Sequence, residues 1–100
     1  MHQQNDIQIG GQVSKLYPIK YTINNIAINS FILNHSSQQI QLNNNYNIKC
    51  KIYCIMFDQT NEFMLSLLDQ YILVTGFLAF DNKTQIILHV KDLQLIKINN

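Results

Sequence analysis

The chain has 100 residues, 47% of them hydrophobic and 13% charged, and a formal net charge of +1. That length supports one core and not two, and the composition argues for a folded globular chain against a disordered one. All the cations are lysine, the polar remainder is mostly Asn and Gln, and the near-neutral charge neither demands nor excludes a polyanionic partner. The Asn, Ile and Lys excess fits codon bias from an AT-rich genome, which weakens inference from any single Lys or Asn.

No apolar stretch approaches the roughly 20 residues that cross a bilayer. The opening MHQQNDIQ lacks the basic and apolar parts of a signal peptide, so a cytoplasmic location is expected. Residues 1–4 read as a flexible tail on a single domain spanning 1–100, and His2 falls within that tail.

Period-2 patterns recur along the chain and helix-period patterns are scarce, which predicts a mostly β domain. A first strand is expected from Ile7 to Leu16, with Ile7 and Ile9 on one face and a bulge or bend at the pair Gly10 and Gly11. YPIKYTINN reads as a loop. A second strand follows from Ile26 to His35, with Ala27, Phe31, Leu33 and His35 on one side and Ile28, Ser30, Ile32 and Asn34 on the other. SSQQIQLNNN, residues 36–45, is polar and low in complexity and reads as a flexible connection.

The third strand, Tyr46 to Met56, alternates most cleanly. Tyr46, Ile48, Cys50, Ile52, Cys54 and Met56 are expected to face the core, while Asn47, Lys49, Lys51 and Tyr53 face outward. FDQTNEFMLSLLDQ is the only plausible helix: Asp58 or Thr60 could cap it, Glu62 sits near its positive end, and Phe63, Met64 and Leu67 form its apolar stripe. A fourth strand from Tyr71 to Phe80 and a fifth from Thr84 to Ile98 complete the chain. Three strands, a short helix and a hairpin give the layout of an OB-fold, a closed five-stranded barrel with one helix, and Gly76 is expected where the fourth strand coils round it.

Little here suggests catalysis. Cys50 and Cys54 lie about 13 Å apart along one strand at roughly 3.3 Å per residue, too far to bond each other, and read as two small buried thiols. His35 and His89 have no ligand-type neighbour at metal spacing and read as structural histidines. Asp58, Glu62 and Asp69 are explained by a capped helix. P-loop, G-x-S-x-G and HExxH motifs are missing, and no enzyme activity, metal or cofactor is expected.

IQIGGQV, FILNH, KCKI, VTGF and ILHVKDLQLI follow one another from about Asn5 to Ile96, with His35 and His89 each ending a strand segment. In this combination the chain resembles the primosomal replication protein PriB family, bacterial OB-fold relatives of single-stranded DNA-binding protein. The resemblance implies a homodimer joined through its first strands and a groove that holds single-stranded DNA without sequence preference. It also implies a place in replication restart, stabilising the helicase PriA on DNA and helping to recruit DnaT, with single-stranded DNA-binding protein as a further partner.

A sequence-independent binder needs cations along the phosphates and flat rings under the bases. Lys49, Lys51 and Tyr53 supply both on one strand face, which would otherwise be an ordinary solvated face. Tyr46 stands where the connection enters that strand, its ring on the core side by alternation. Lys15 and Lys20 match basic positions of the family, and Lys83 is the only cation of FDNKTQ, the loop of the final hairpin.

Two departures bear on affinity. Lys49 stands where the family commonly has a large aromatic, and FDNKTQ is shorter and poorer in lysine than the family's loop. Two alternatives therefore stay beside DNA binding: a protein-interaction adaptor that has lost useful affinity, and an RNA-binding OB domain.

Overall fold

The computed structural model describes residues 3–81 and 84–97. In chain order these form β1 (Ile7–Leu16), β2 (Lys20–Tyr21), β3 (Ala27–Gln41), β4 (Asn44–Phe57), α1 (Asn61–Leu67), β5 (Tyr71–Phe80) and β6 (Ile86–Leu95). One sheet runs β1-β5-β6-β4-β3-β2, and an added β1–β3 pairing closes it. The five long strands thus make a closed OB-fold barrel, with β2 a short addition on β3.

Alternation explains the closure. Val13 of β1, Phe31 and Leu33 of β3, Cys54 of β4, Ile72 and Val74 of β5 and Leu88 of β6 are at most 1% exposed and meet in one cluster. β4 and β6 pair in parallel, Cys54 opposite Leu88, so the two strands share one buried row. α1 closes the barrel by inserting Met64 and Leu67, with Phe63 packed beside them. Thr60 caps this helix by accepting a hydrogen bond from the Phe63 N–H at 3.1 Å. Asp58 takes no cap and instead turns the chain at φ 64°.

Gly76 sits at a register shift between β5 and β6, where a Cβ would stand 1.9 Å from the His89 carbonyl oxygen. It is therefore a point of close backbone approach, as a barrel strand that must coil requires. The bulge expected at Gly10 and Gly11 lies elsewhere. Both glycines keep regular register with β5, and the shift in β1 falls between Val13 and Lys15 against β3. Gly11 serves a close approach instead, since a Cβ there would meet the Asn34 carbonyl oxygen at 2.4 Å.

The largest correction concerns residues 36–45. Instead of a loop, they continue β3 to Gln41 and begin β4 at Asn44, paired without a break from Ile28–Phe57 to Gln41–Asn44. Only Leu42 and Asn43 turn, both at positive φ. Polar Gln and Asn side chains suit this segment because it projects beyond the barrel, wet on both faces. For the same reason Tyr46, Ile48 and Cys50, expected in the core, are exposed. The last strand is also shorter than expected, its ladder running Ile86–Leu95.

Candidate nucleic-acid interface

β4 carries the candidate site on its outward face. Register places Lys51 beside Asn34 of β3 and Asn34 beside Gln12 of β1; two residues on, Tyr53 stands beside Ile32 and Ile32 beside Lys15. At one end of this face Lys49 opposes Ser36. At the other end Phe57 opposes Ile28, which opposes Lys20 on β2. Lys49, Lys51, Tyr53, Ile55 and Phe57 therefore form one track, about 26 Å long at the usual strand rise.

Two rings gather at its centre. Tyr17, just past β1, lies 5.4 Å from Tyr53 between ring centroids at an interplanar angle of 50°. The Lys15 ammonium sits over the Tyr17 ring, 4.8 Å from its centroid. A cation held against one face of Tyr17, next to a second ring, places a phosphate partner and a base-stacking surface within one side chain of each other. Lysines 49 and 51 lie to one side of this pair and Lys20 with Phe57 to the other; Phe57 is 47% exposed, with a free ring surface.

The structure thus brings together Lys15, Lys49, Lys51 and Tyr53 and puts Lys20 at the far end of the same face. It separates Tyr46, which opposes Gln39 on the opposite face of the projecting hairpin. Lys83 lies outside the described residues. Sequence reasoning missed Tyr17 and Phe57, although both were within reach: Phe57 continues the outward alternation of β4, and Tyr17 follows Lys15 at strand spacing.

Beside the track, where β3 leaves β1, opens a cleft of about 700 Å³ lined by Gly10, Gly11, Gln12, His35, Cys50 and Lys51 among others. His35 spans its base. Its Nδ1 lies 2.7 Å from the Gly10 carbonyl oxygen, and its Nε2 lies 2.7 Å from the Ser37 Oγ. The carbonyl can only accept, so Nδ1 carries the proton, and in the neutral ring Nε2 accepts from the serine hydroxyl. His89 instead stacks on Phe77, centroids 5.0 Å apart and 3° from parallel.

The cysteines differ more than their spacing suggested. Both are free, but Cys50 is exposed and only Cys54 is buried, where loss of solvent pushes its thiol from 9.0 up to about 12. Among the described residues no group of three or more His, Cys, Asp or Glu side chains could hold a metal ion.

Comparison with known proteins bears on the family and the fold. A family model described as "Another single-strand binding protein family" matches residues 5–92. No curated protein sequence matches. Among solved structures, the PriB protein of Ralstonia solanacearum superposes with a TM-score of 0.82 at 17% identity, covering 93% of this chain and 98% of that one. The single-strand binding protein of Plasmodium falciparum, solved with single-stranded DNA, gives 0.72 at 15% identity, covering 97% and 98%. The dimeric N-terminal domain of PriB from Thermoanaerobacter tencongensis gives 0.67 at 16% identity, covering 94% and 98%. At such identities the superpositions speak for the fold, and the family match spans almost the whole chain: this protein belongs to a single-strand binding protein family, as an OB-fold binding protein and not an enzyme.

Proposed function

We propose that this protein binds single-stranded DNA along the outward face of β4, without sequence preference, as a homodimeric accessory of the replication-restart primosome. The observation that carries the binding reading is the Lys15–Tyr17–Tyr53 cluster, flanked on its strand by Lys49 and Lys51. Phosphates pass over the lysines while bases stack on the two tyrosines and on Phe57; every base has a π face, so such a track is sequence-tolerant. Family membership supports the same reading.

The dimer reading rests on β1. Between Ile7 and Gly11 this strand pairs with β5 on one edge, and no described strand covers the other, an arrangement that invites pairing with a second copy. The likeness to the PriB structures supports a place beside the helicase PriA and DnaT, with single-stranded DNA-binding protein as a further partner, in the cytoplasm.

Fluorescence anisotropy of a labelled homopyrimidine strand, titrated at several salt concentrations, tests the binding reading. Each phosphate contact contributes about 0.7 to the negative slope of log affinity against log salt. Several contacts are expected, fewer after Lys49→Ala and Lys51→Ala. A protein that fails to bind even at low salt would sink the DNA reading and leave an OB-fold adaptor. A preference for the ribose strand would make the ligand RNA. Co-purification with PriA tests the primosome assignment separately.

A further inference from the structure

The outward face of β4 continues past the edge of that strand. Ile55 pairs in parallel register with His89 of β6, and His89 stands opposite Phe77 of β5, so the three residues form one row straight across the barrel. Alternation sets this row on the side away from the core, since the residues flanking it, Cys54, Leu88 and Val90, belong to the buried cluster. Neighbouring strands lie about 5 Å apart, which puts Phe77 roughly 10 Å from β4. Tyr53 occupies the outward position just before Ile55 on the same strand.

The far end of the row is aromatic. The rings of Phe77 and His89 lie 5.0 Å apart between centroids and only 3° from parallel, and Phe77 is 38% exposed. The two histidines differ here. His35 has a partner at each ring nitrogen, whereas no described residue hydrogen-bonds to the ring of His89. Among the described residues the one buried side-chain polar atom without a partner is the Asn34 Oδ1, so both His89 nitrogens reach solvent. His89 is thus held by its face and leaves its edge open.

Such a pair suits a flat ligand. Two parallel rings fix each other's orientation, and a base joining the stack finds its surface already in place. Past His89, exposed Lys91 is followed at once by exposed Asp92, so the local charge is balanced and offers phosphate little attraction. The group that fits here is therefore the base, with the half-buried Ile55 as an apolar floor between Tyr53 and the pair.

We propose that Phe77 and His89 form a further base-stacking station of the single-strand site, reached when the strand passes Tyr53 and crosses β6 over Ile55. This deepens the reading of β4 as a single-strand track and rests on it. Stacking is then spread over the width of the sheet as well as the length of β4, and His89 is a binding residue where His35 is a structural one.

NMR of the His89 ring tests the station directly, its resonances assigned by comparison with His89→Phe. A homopyrimidine strand of about 15 nucleotides is added to the wild-type protein, long enough for the site of one OB-fold. The His89 ring protons should move upfield in the ring current of a stacked base. By anisotropy, Phe77→Ala should weaken binding about tenfold with an unchanged salt slope, and His89→Phe should keep the affinity that His89→Ala loses. Urea unfolding identifies any variant that fails to fold, and the NMR shift is read on the wild type alone. His89 resonances that hold still at saturation, while Tyr53→Ala still weakens binding, overturn the station and leave the β4 track standing. An equal loss in His89→Phe and His89→Ala overturns stacking as the role of that ring. A wild-type protein that fails to bind even at low salt overturns both readings.

Discussion

An alanine at Gly76 tests whether the β5–β6 pairing is held as observed. Its Cβ would stand 1.9 Å from the His89 carbonyl oxygen, 2.9 Å from the carbonyl carbon and 3.2 Å from the Val90 Cα. These are backbone atoms, and they can retreat only by disturbing the ladder on either side of the register shift. Overpacking of this kind costs about 1 to 3 kcal/mol, more when no flexible group can yield. Removing a glycine from the unfolded chain returns about 0.4 to 1 kcal/mol. A net loss of about 2 kcal/mol is expected, which lowers Tm by about 10 °C in a domain of this size.

Gly10→Ala is the internal control. Its nearest neighbour would be the Ile96 Cδ1 at 3.6 Å, an ordinary contact, so that variant should match or slightly exceed the wild type. Urea unfolding followed by circular dichroism, at concentrations where the chain is monomeric, gives both midpoints. Equal stability of Gly76→Ala and wild type would refute the close approach and with it the register between β5 and β6.

Tyr53→Ala should weaken single-strand binding by about 1 to 3 kcal/mol with an unchanged salt slope, whereas Lys51→Ala should reduce the slope by about 0.7; anisotropy separates the two. Asn29, 1% exposed, donates to the Gln59 carbonyl at 3.1 Å and accepts from the Gln59 N–H at 3.0 Å, tying β3 to the turn before α1. Asn29→Ala leaves both groups unpaired and should cost about 3 kcal/mol in chemical denaturation. Cys54 gives a pH signature. Its thiol stays protonated in the fold up to about 12 while the unfolded chain ionises from 9.0, so stability falls as pH rises between those values. The slope is at most about 1.4 kcal/mol per pH unit, and Cys54→Ala should remove that part of the decline.

The barrel was legible because its strands obey a two-residue period: Ile7–Leu16 and Tyr71–Phe80 could be bounded from alternation and turn residues alone, and the short helix from its stripe and a cap at Asp58 or Thr60, of which the structure takes Thr60. The outward placement of Lys49, Lys51 and Tyr53 followed from the same rule. The projecting hairpin did not. Gln, Asn and Ser at residues 36–45 look the same in a loop as in a strand with water on both sides, because composition records solvation and not backbone pairing.

Alternation therefore determined which side of β4 each residue occupies, a property of local backbone geometry. Whether that side is covered depends on where β1 stops pairing with β3, and that is set by barrel closure among residues far apart in sequence. Tyr46, Ile48 and Cys50 share a side with Cys54 and Met56 and differ in burial for that reason alone. Likewise, Lys15 and Tyr17 join Tyr53 only because β1, β3 and β4 close with Lys15, Ile32 and Tyr53 in register. The sequence contained the alternation; tertiary pairing decided what met across it.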